Sequence, residues 1–172
     1  MLVSMKAVLD LADAKKIAVG AFNITSLEGI QAVLGAAKEL GQPVILQFAP
    51  VHESVIPLKV IGPVMVMMAE KSSVPVCVHL DHGDKLEILQ EALEMGFTSV
   101  MYDGSVLPFE ENAANTRIAV EMAGDWGASV EAEIGAWEGR NSQAWEKAKK
   151  GRLWRAAIRT RNRPGLSPRL PE

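Results

Sequence analysis

Val74-Pro-Val-Cys-Val-His-Leu-Asp-His-Gly83 is the stretch on which the fold turns. Its first half is a short run of β-forming apolar residues, which is how a strand covered by helices reads. Its second half switches to Asp81-His82-Gly83, and Lys85–Met95 follows with apolar residues recurring at helical spacing. A buried strand, a polar corner and an amphipathic helix make one βα unit.

The same grammar repeats on both sides. Strands are expected at Ala18–Phe22, Val44–Phe48, Val76–Leu80, Ser99–Tyr102 and Ser129–Glu133. Helices are expected at Ser26–Leu40, Leu58–Lys71, Lys85–Met95 and Phe109–Gly124, with one more, Met5–Lys15, ahead of the first strand. Asp84 reads as the N-cap of the helix that opens at Lys85, and Gly41 and Gly96 as the residues that end their helices. Met65, Met67 and Met68 read as core filler on a helix. Strands alternating with helices predict an α/β fold around a parallel sheet. After Gly135 neither period persists. Residues 137–172 collect Arg and Pro, offer no more than a transient helix at Lys147–Arg159, and are expected to be disordered.

Composition agrees with a folded body. Of 172 residues, 48% are hydrophobic and 23% charged, which suits one soluble domain with a real core. The opening residues lack the profile of a signal peptide, and no apolar run approaches the roughly 20 residues a membrane span needs, so a cytoplasmic protein without a membrane partner is expected. The single cysteine, Cys77, lies inside an apolar run and is expected to be a buried, unreactive thiol. Charge is uneven: ten basic residues against two acidic ones between Arg140 and Glu172 put that segment at +8 and the rest at −11, for a net −3. Such asymmetry is the usual mark of a nucleic-acid-binding tail. Beyond Trp145 and Trp154, though, the arginines have no interleaved aromatic order, so no nucleic-acid partner is expected.

Functional groups in βα folds gather where strands end. Those ends carry Asn23, Gln47, the Asp81-His82 pair, Asp103 and the Glu131-Ala-Glu133 triplet. Asn, Asp, His and Glu on one rim make the inventory of a divalent-metal site with a proton donor. Each also has a plainer reading. His82 alone reads as a surface or capping histidine, Asp81 as an acid at a helix N-terminus, Asp103-Gly-Ser as a turn, and Glu131 with Glu133 as a solvated strand face. A Rossmann-type nucleotide binder is excluded, because no GxGxxG follows the first strand.

Taken in order, Val19-Gly-Ala-Phe-Asn23, Pro43-Val-Ile-Leu-Gln47, His79-Leu-Asp-His-Gly83, Gly96-Phe-Thr-Ser-Val-Met-Tyr-Asp-Gly-Ser105, Leu107-Pro-Phe-Glu-Glu-Asn112 and Ser129-Val-Glu-Ala-Glu-Ile-Gly135 resemble the class II fructose- and tagatose-bisphosphate aldolases. The resemblance runs from the first residue to about Ala136. It implies a (β/α)8 barrel, of which about five βα units are present, and reversible cleavage of a ketose 1,6-bisphosphate, fructose or tagatose, to dihydroxyacetone phosphate and glyceraldehyde 3-phosphate with Zn²⁺. It further implies His82 as a catalytic-zinc ligand, Asp103 and Glu133 at a second divalent-metal position, Asp81 as the acid/base on the C4 hydroxyl, and Asn23 close to substrate. A sugar bisphosphate is then the small-molecule partner, and self-association is expected of intact members.

The family's two other zinc histidines lie in later strands, in HG and HGGSG contexts, and no histidine follows His82 in this chain. The family also continues past this point with segments like LGxxE and YTDPEEA. Reading the codons one nucleotide out of frame just before Trp137 turns Trp137–Asn141 into LGRQE followed by F, and Ala157–Pro164 into RYTDPEQA. The expected organisation is therefore an aldolase domain at 1–136 and an out-of-frame basic tail at 137–172, with the chain as written close to inactive.

Overall fold

A computed structural model describes residues 1–135. The expected domain boundary at 136 and everything foreseen for 137–172 lie outside these residues.

Helix α1 (Met5–Lys15) comes first, followed by strand β1 (Ala21–Asn23), helix α2 (Leu27–Leu40) and strand β2 (Val44–Phe48). A short 3₁₀ turn, Pro50–His52, leads to α3 (Leu58–Glu70), β3 (Val76–Gly83), α4 (Leu86–Glu94), β4 (Ser99–Tyr102), α5 (Phe109–Trp126) and β5 (Ser129–Ala132). The strands form one parallel sheet in the order β1-β2-β3-β4-β5. Each parallel neighbour is reached through a helix, which gives a five-unit portion of a (β/α)8 barrel and agrees with the expected fold.

Local signals explain the helix ends. The Ser26 hydroxyl accepts the Gly29 amide at 3.1 Å to open α2, and Gly41, at φ 61°, closes it in the left-handed conformation. The expected cap at Asp84 is not observed. Lys85 occupies the N-cap position of α4 without a side-chain bond, and the acid of the first turn is Glu87. At α3 the capping carboxylate comes from outside the helix, Glu53 accepting the Leu58 amide at 3.0 Å. Strand β1 is shorter than expected and exposed throughout, because among the described residues it pairs only with β2.

The two faces of the sheet differ. Leu46, Phe48, Val76, Val78, Leu80, Val100 and Val130 turn toward α2–α5 and form the main core with Ile30, Met65, Leu89 and Phe97. Met65 is core as expected and Met68 packs partly against it, whereas Met67 is exposed and is no filler. On the opposite face Ile45 and Cys77 pack against Val3, Met5 and Val8, so α1 covers the end of the sheet where the strands begin. Period 2 then carries that face of β3 from apolar Cys77 through buried His79 to half-buried Asp81. The polar end of the sheet is where the strands finish.

Candidate metal centre

Strand β3 ends irregularly. Its pairing with β4 slips between Leu80 and Gly83, and His82 takes φ 51°, a left-handed conformation that is uncommon for a residue with a Cβ. In a regular strand Asp81 and His82 would point to opposite faces. The bulge brings both to the rim. Gly83 makes it possible, since a Cβ there would lie 2.5 Å from Leu89 Cδ1 and 2.9 Å from the Met101 carbonyl oxygen.

His82 Nδ1 lies 2.9 Å from Asp103 Oδ2 and 3.7 Å from Glu133 Oε2, while Nε2 lies 3.9 Å from Asp81 Oδ1. The imidazole thus sits among three carboxylates. Burial opposes its proton, but the Asp103 hydrogen bond and the charges of Asp81, Asp103 and Glu133 outweigh burial and raise its pKa. Asp103 is pushed up by burial, yet hydrogen bonds from Ser105 and His82, together with the His82 charge, hold it below the usual carboxylate range. The Ser105 amide contributes one of these bonds at 3.1 Å.

One donor atom from each of His82, Asp103 and Glu133 lies within 4.8 Å of the others. An imidazole nitrogen and two carboxylate oxygens suit a borderline divalent cation such as Zn²⁺, and the three groups already converge, so the donor set fits a metal. The family resemblance implies one metal position at His82 and another at Asp103 and Glu133; the fold brings one donor atom of each within 4.8 Å of the others.

Asp81 and Asn23 stand beside this cluster. Gln47 Nε2 donates to Asp81 Oδ2 at 2.7 Å and to Asn23 Oδ1 at 3.3 Å. Burial raises the Asp81 pKa, with Asp103 adding to the rise and His82, His52 and the His82 backbone amide opposing it. In the sequence Gln47 reads only as a strand end. The signal for its role is register, since Asn23, Gln47 and His79 are successive partners across β1, β2 and β3.

One step down the same face, His79 Nδ1 is 2.9 Å from Ser99 Oγ and its Nε2 is 3.5 Å from Glu131 Oε2. Burial, opposed by the Ser99 bond and helped by His82, lowers the His79 pKa to about 4, while burial and then Asp81 raise that of Glu131. At neutral pH His79 is therefore uncharged, and the contact is not an ion pair.

The family model for class II fructose-bisphosphate aldolase matches residues 3–161. The chain belongs to this family. A fructose-bisphosphate aldolase of Geobacillus stearothermophilus is 46% identical over 137 residues, covering 78% of this chain and 48% of the relative. One from Staphylococcus aureus is 44% identical over 145 residues, 81% of this chain and 50% of the relative. Among solved structures, the YdjI aldolase of Escherichia coli superposes with TM-score 0.75 at 36% identity, over 78% of this chain and 52% of that one. The Campylobacter jejuni fructose-bisphosphate aldolase superposes with TM-score 0.68 at 26% identity, over 81% and 48%. The chain spans about half the length of the curated relatives it matches. No helix among the described residues is long and apolar enough to cross a membrane.

Proposed function

We propose that this chain contributes the Asp81-His82 half of a class II aldolase site, for reversible cleavage of fructose or tagatose 1,6-bisphosphate to dihydroxyacetone phosphate and glyceraldehyde 3-phosphate, acting in the cytoplasm. The observation that carries the reading is the convergence of His82, Asp103 and Glu133 on one point with Asp81 next to it. His82, Asp103 and Glu133 would hold the metal. A bound Zn²⁺ would supply Lewis-acid stabilisation of the negative charge that C3–C4 cleavage develops at the ketose oxygens.

The chain's own residues supply the proton chemistry. Asp81 is the acid/base at the C4 hydroxyl. Its carboxylate is aimed by the Gln47 amide at 2.7 Å, and its raised pKa favours taking up the hydroxyl proton. Asn23, whose Oδ1 accepts from the same Gln47 amide, keeps both of its amide hydrogens for the substrate.

Three histidines occur in the whole sequence, and of these only His82 is in the metal cluster. A three-histidine zinc site is therefore incomplete, so the chain by itself should hold zinc weakly and cleave little. The test is bound zinc and triose phosphate formation from each bisphosphate, measured for this chain and for a version with one nucleotide restored before the Trp137 codon. Tight zinc and cleavage should appear only in the restored version. Stoichiometric zinc and full cleavage in the chain as it stands would overturn the half-site reading, and absence of zinc in both would overturn the metal assignment.

A further inference from the structure

The three candidate metal ligands lie on three different strand ends, and something must hold those ends in register. Backbone pairing accounts for one joint: the Asp103 amide donates to the Gly83 carbonyl at 2.8 Å, fixing the end of β4 to the end of β3. Glu133 lies one residue beyond β5, where a side chain of the preceding helix offers a further tie.

Asn112 supplies it. This residue stands in the first turn of α5, is 5% exposed, and donates from Nδ2 to the Glu133 backbone carbonyl at 2.8 Å. Its other amide atom, Oδ1, accepts the Thr116 hydroxyl at 3.3 Å, which sets the amide so that nitrogen faces β5. The same amide packs on the turn after Asp103. A Cβ on Gly104 would lie 2.7 Å from Asn112 Cγ and 2.8 Å from Tyr102 Cε1, so only glycine lets the helix approach this closely. One buried side chain therefore touches the backbone of both carboxylate-bearing ends.

We infer that Asn112 is a positioning residue of the metal centre, holding Glu133 and Asp103 at the separation a divalent cation requires. This deepens the aldolase reading and rests on its metal assignment. Buried polar groups outside the ligand shell commonly set ligand geometry in this way. A purely structural account of Asn112 is testable against it, because α5 carries a second amide of the same kind. Asn115 Nδ2, three residues further along, donates to the Tyr102 hydroxyl at 2.8 Å and not to the backbone of a ligand residue.

The experiment titrates the full chain with Zn²⁺ against a chromogenic chelator, and with Co²⁺ for its visible absorption, comparing the unaltered chain with Asn112→Ala, Asn112→Asp and Asn115→Ala. Circular dichroism monitors folding. Both Asn112 variants should weaken Zn²⁺ binding about 10–100-fold and alter the Co²⁺ spectrum, whereas Asn115→Ala should leave both unchanged. If Asn112→Ala does not fold, the near-isosteric Asn112→Asp decides, with Thr116→Val expected to move affinity the same way by less. Unchanged affinity in the Asn112 variants overturns the inference alone. Equal weakening in Asn115→Ala also overturns it, since loosening of α5 would then suffice. If the unaltered chain binds Zn²⁺ too weakly to titrate, the same variants are compared in the version with the nucleotide restored before the Trp137 codon, and no Zn²⁺ binding by either form overturns the metal assignment and this inference with it.

Discussion

His82 Nδ1 and Asp103 Oδ2 lie 2.9 Å apart although one residue leaves β3 and the other has just left β4, and the contact exists because His82 adopts a left-handed backbone in the bulge that ends β3. A strained, re-aimed residue at a strand end is a frequent device at functional sites. Here it places an imidazole edge against two carboxylates, with Asp81 at its other edge.

The bulge makes Gly83 sensitive. A methyl group there meets a movable Leu89 side chain on one side but the fixed Met101 carbonyl on the other, at 2.9 Å. Gly83→Ala should cost about 1–3 kcal/mol of stability, as overpacking typically does, and should weaken Zn²⁺ binding by displacing His82. Urea unfolding and zinc titration read the two effects. Unchanged values in both would show that the bulge tolerates a side chain and that Gly83 has no part in the site.

Much of this arrangement was legible beforehand, for specific reasons. The apolar runs of β2, β4 and the body of β3 announced themselves by composition, and Asn23, Asp81, His82, Asp103 and Glu133 drew attention by their place at or just past the expected strand ends. The extension of β3 to Gly83 was not legible, because Asp81-His82-Gly83 has the composition of a loop while pairing as a bulged strand. Gln47 and Asn112 were not legible as site residues either. Their roles depend on cross-strand register and on which helix face meets a glycine, and neither leaves a mark on the local sequence. The Asp84 cap failed because Asp, like Ser, marks a helix start only to within a residue.

Cys77 should behave as a reporter of global unfolding. Burial pushes its thiol up to about 12, with only a partly compensating hydrogen bond from Thr98, so the reactive thiolate is scarce at neutral pH and sealed behind α1. A thiol reagent such as DTNB should leave the native chain unmodified and label it once in denaturant, at a rate that follows unfolding. Rapid stoichiometric labelling in buffer would show that the α1 face opens without global unfolding.

His79 should impose a pH dependence on stability. Its folded pKa of about 4 lies below the ordinary 6.5, so the unfolded chain takes up this proton first as pH falls. The contribution of neutral His79 is therefore complete above about pH 6.5 and lost as pH falls toward 4, on the order of 3 kcal/mol at most. The ionisable groups facing it are Glu131 and His82, and the raised Glu131 pKa acts in the opposite sense. Comparison with His79→Gln isolates the histidine. Unfolding free energies between about pH 7 and pH 4 should fall more steeply in the parent than in the variant, and parallel curves would remove His79 as the cause.

Asp81 and His82 are adjacent in sequence but should separate cleanly in experiment. His82→Ala removes the only imidazole of the metal cluster and should abolish zinc binding, whereas Asp81→Ala removes no ligand and should keep it. In a form that holds zinc tightly and cleaves substrate, Asp81→Ala should lower the rate by about 10²–10⁴-fold, the usual contribution of a positioned acid/base. The backbone offers an independent check that needs no metal. Because His82 sits at φ 51°, His82→Gly should be more stable than His82→Ala by about 1 kcal/mol, although both have lost the ring. Bound zinc, cleavage rate and urea midpoints for the three variants test all of this together. Zinc lost from Asp81→Ala would make Asp81 a ligand and not a proton carrier. Equal stability of the Gly and Ala variants would mean that the left-handed turn, and with it the explanation of how His82 reaches Asp103, is wrong.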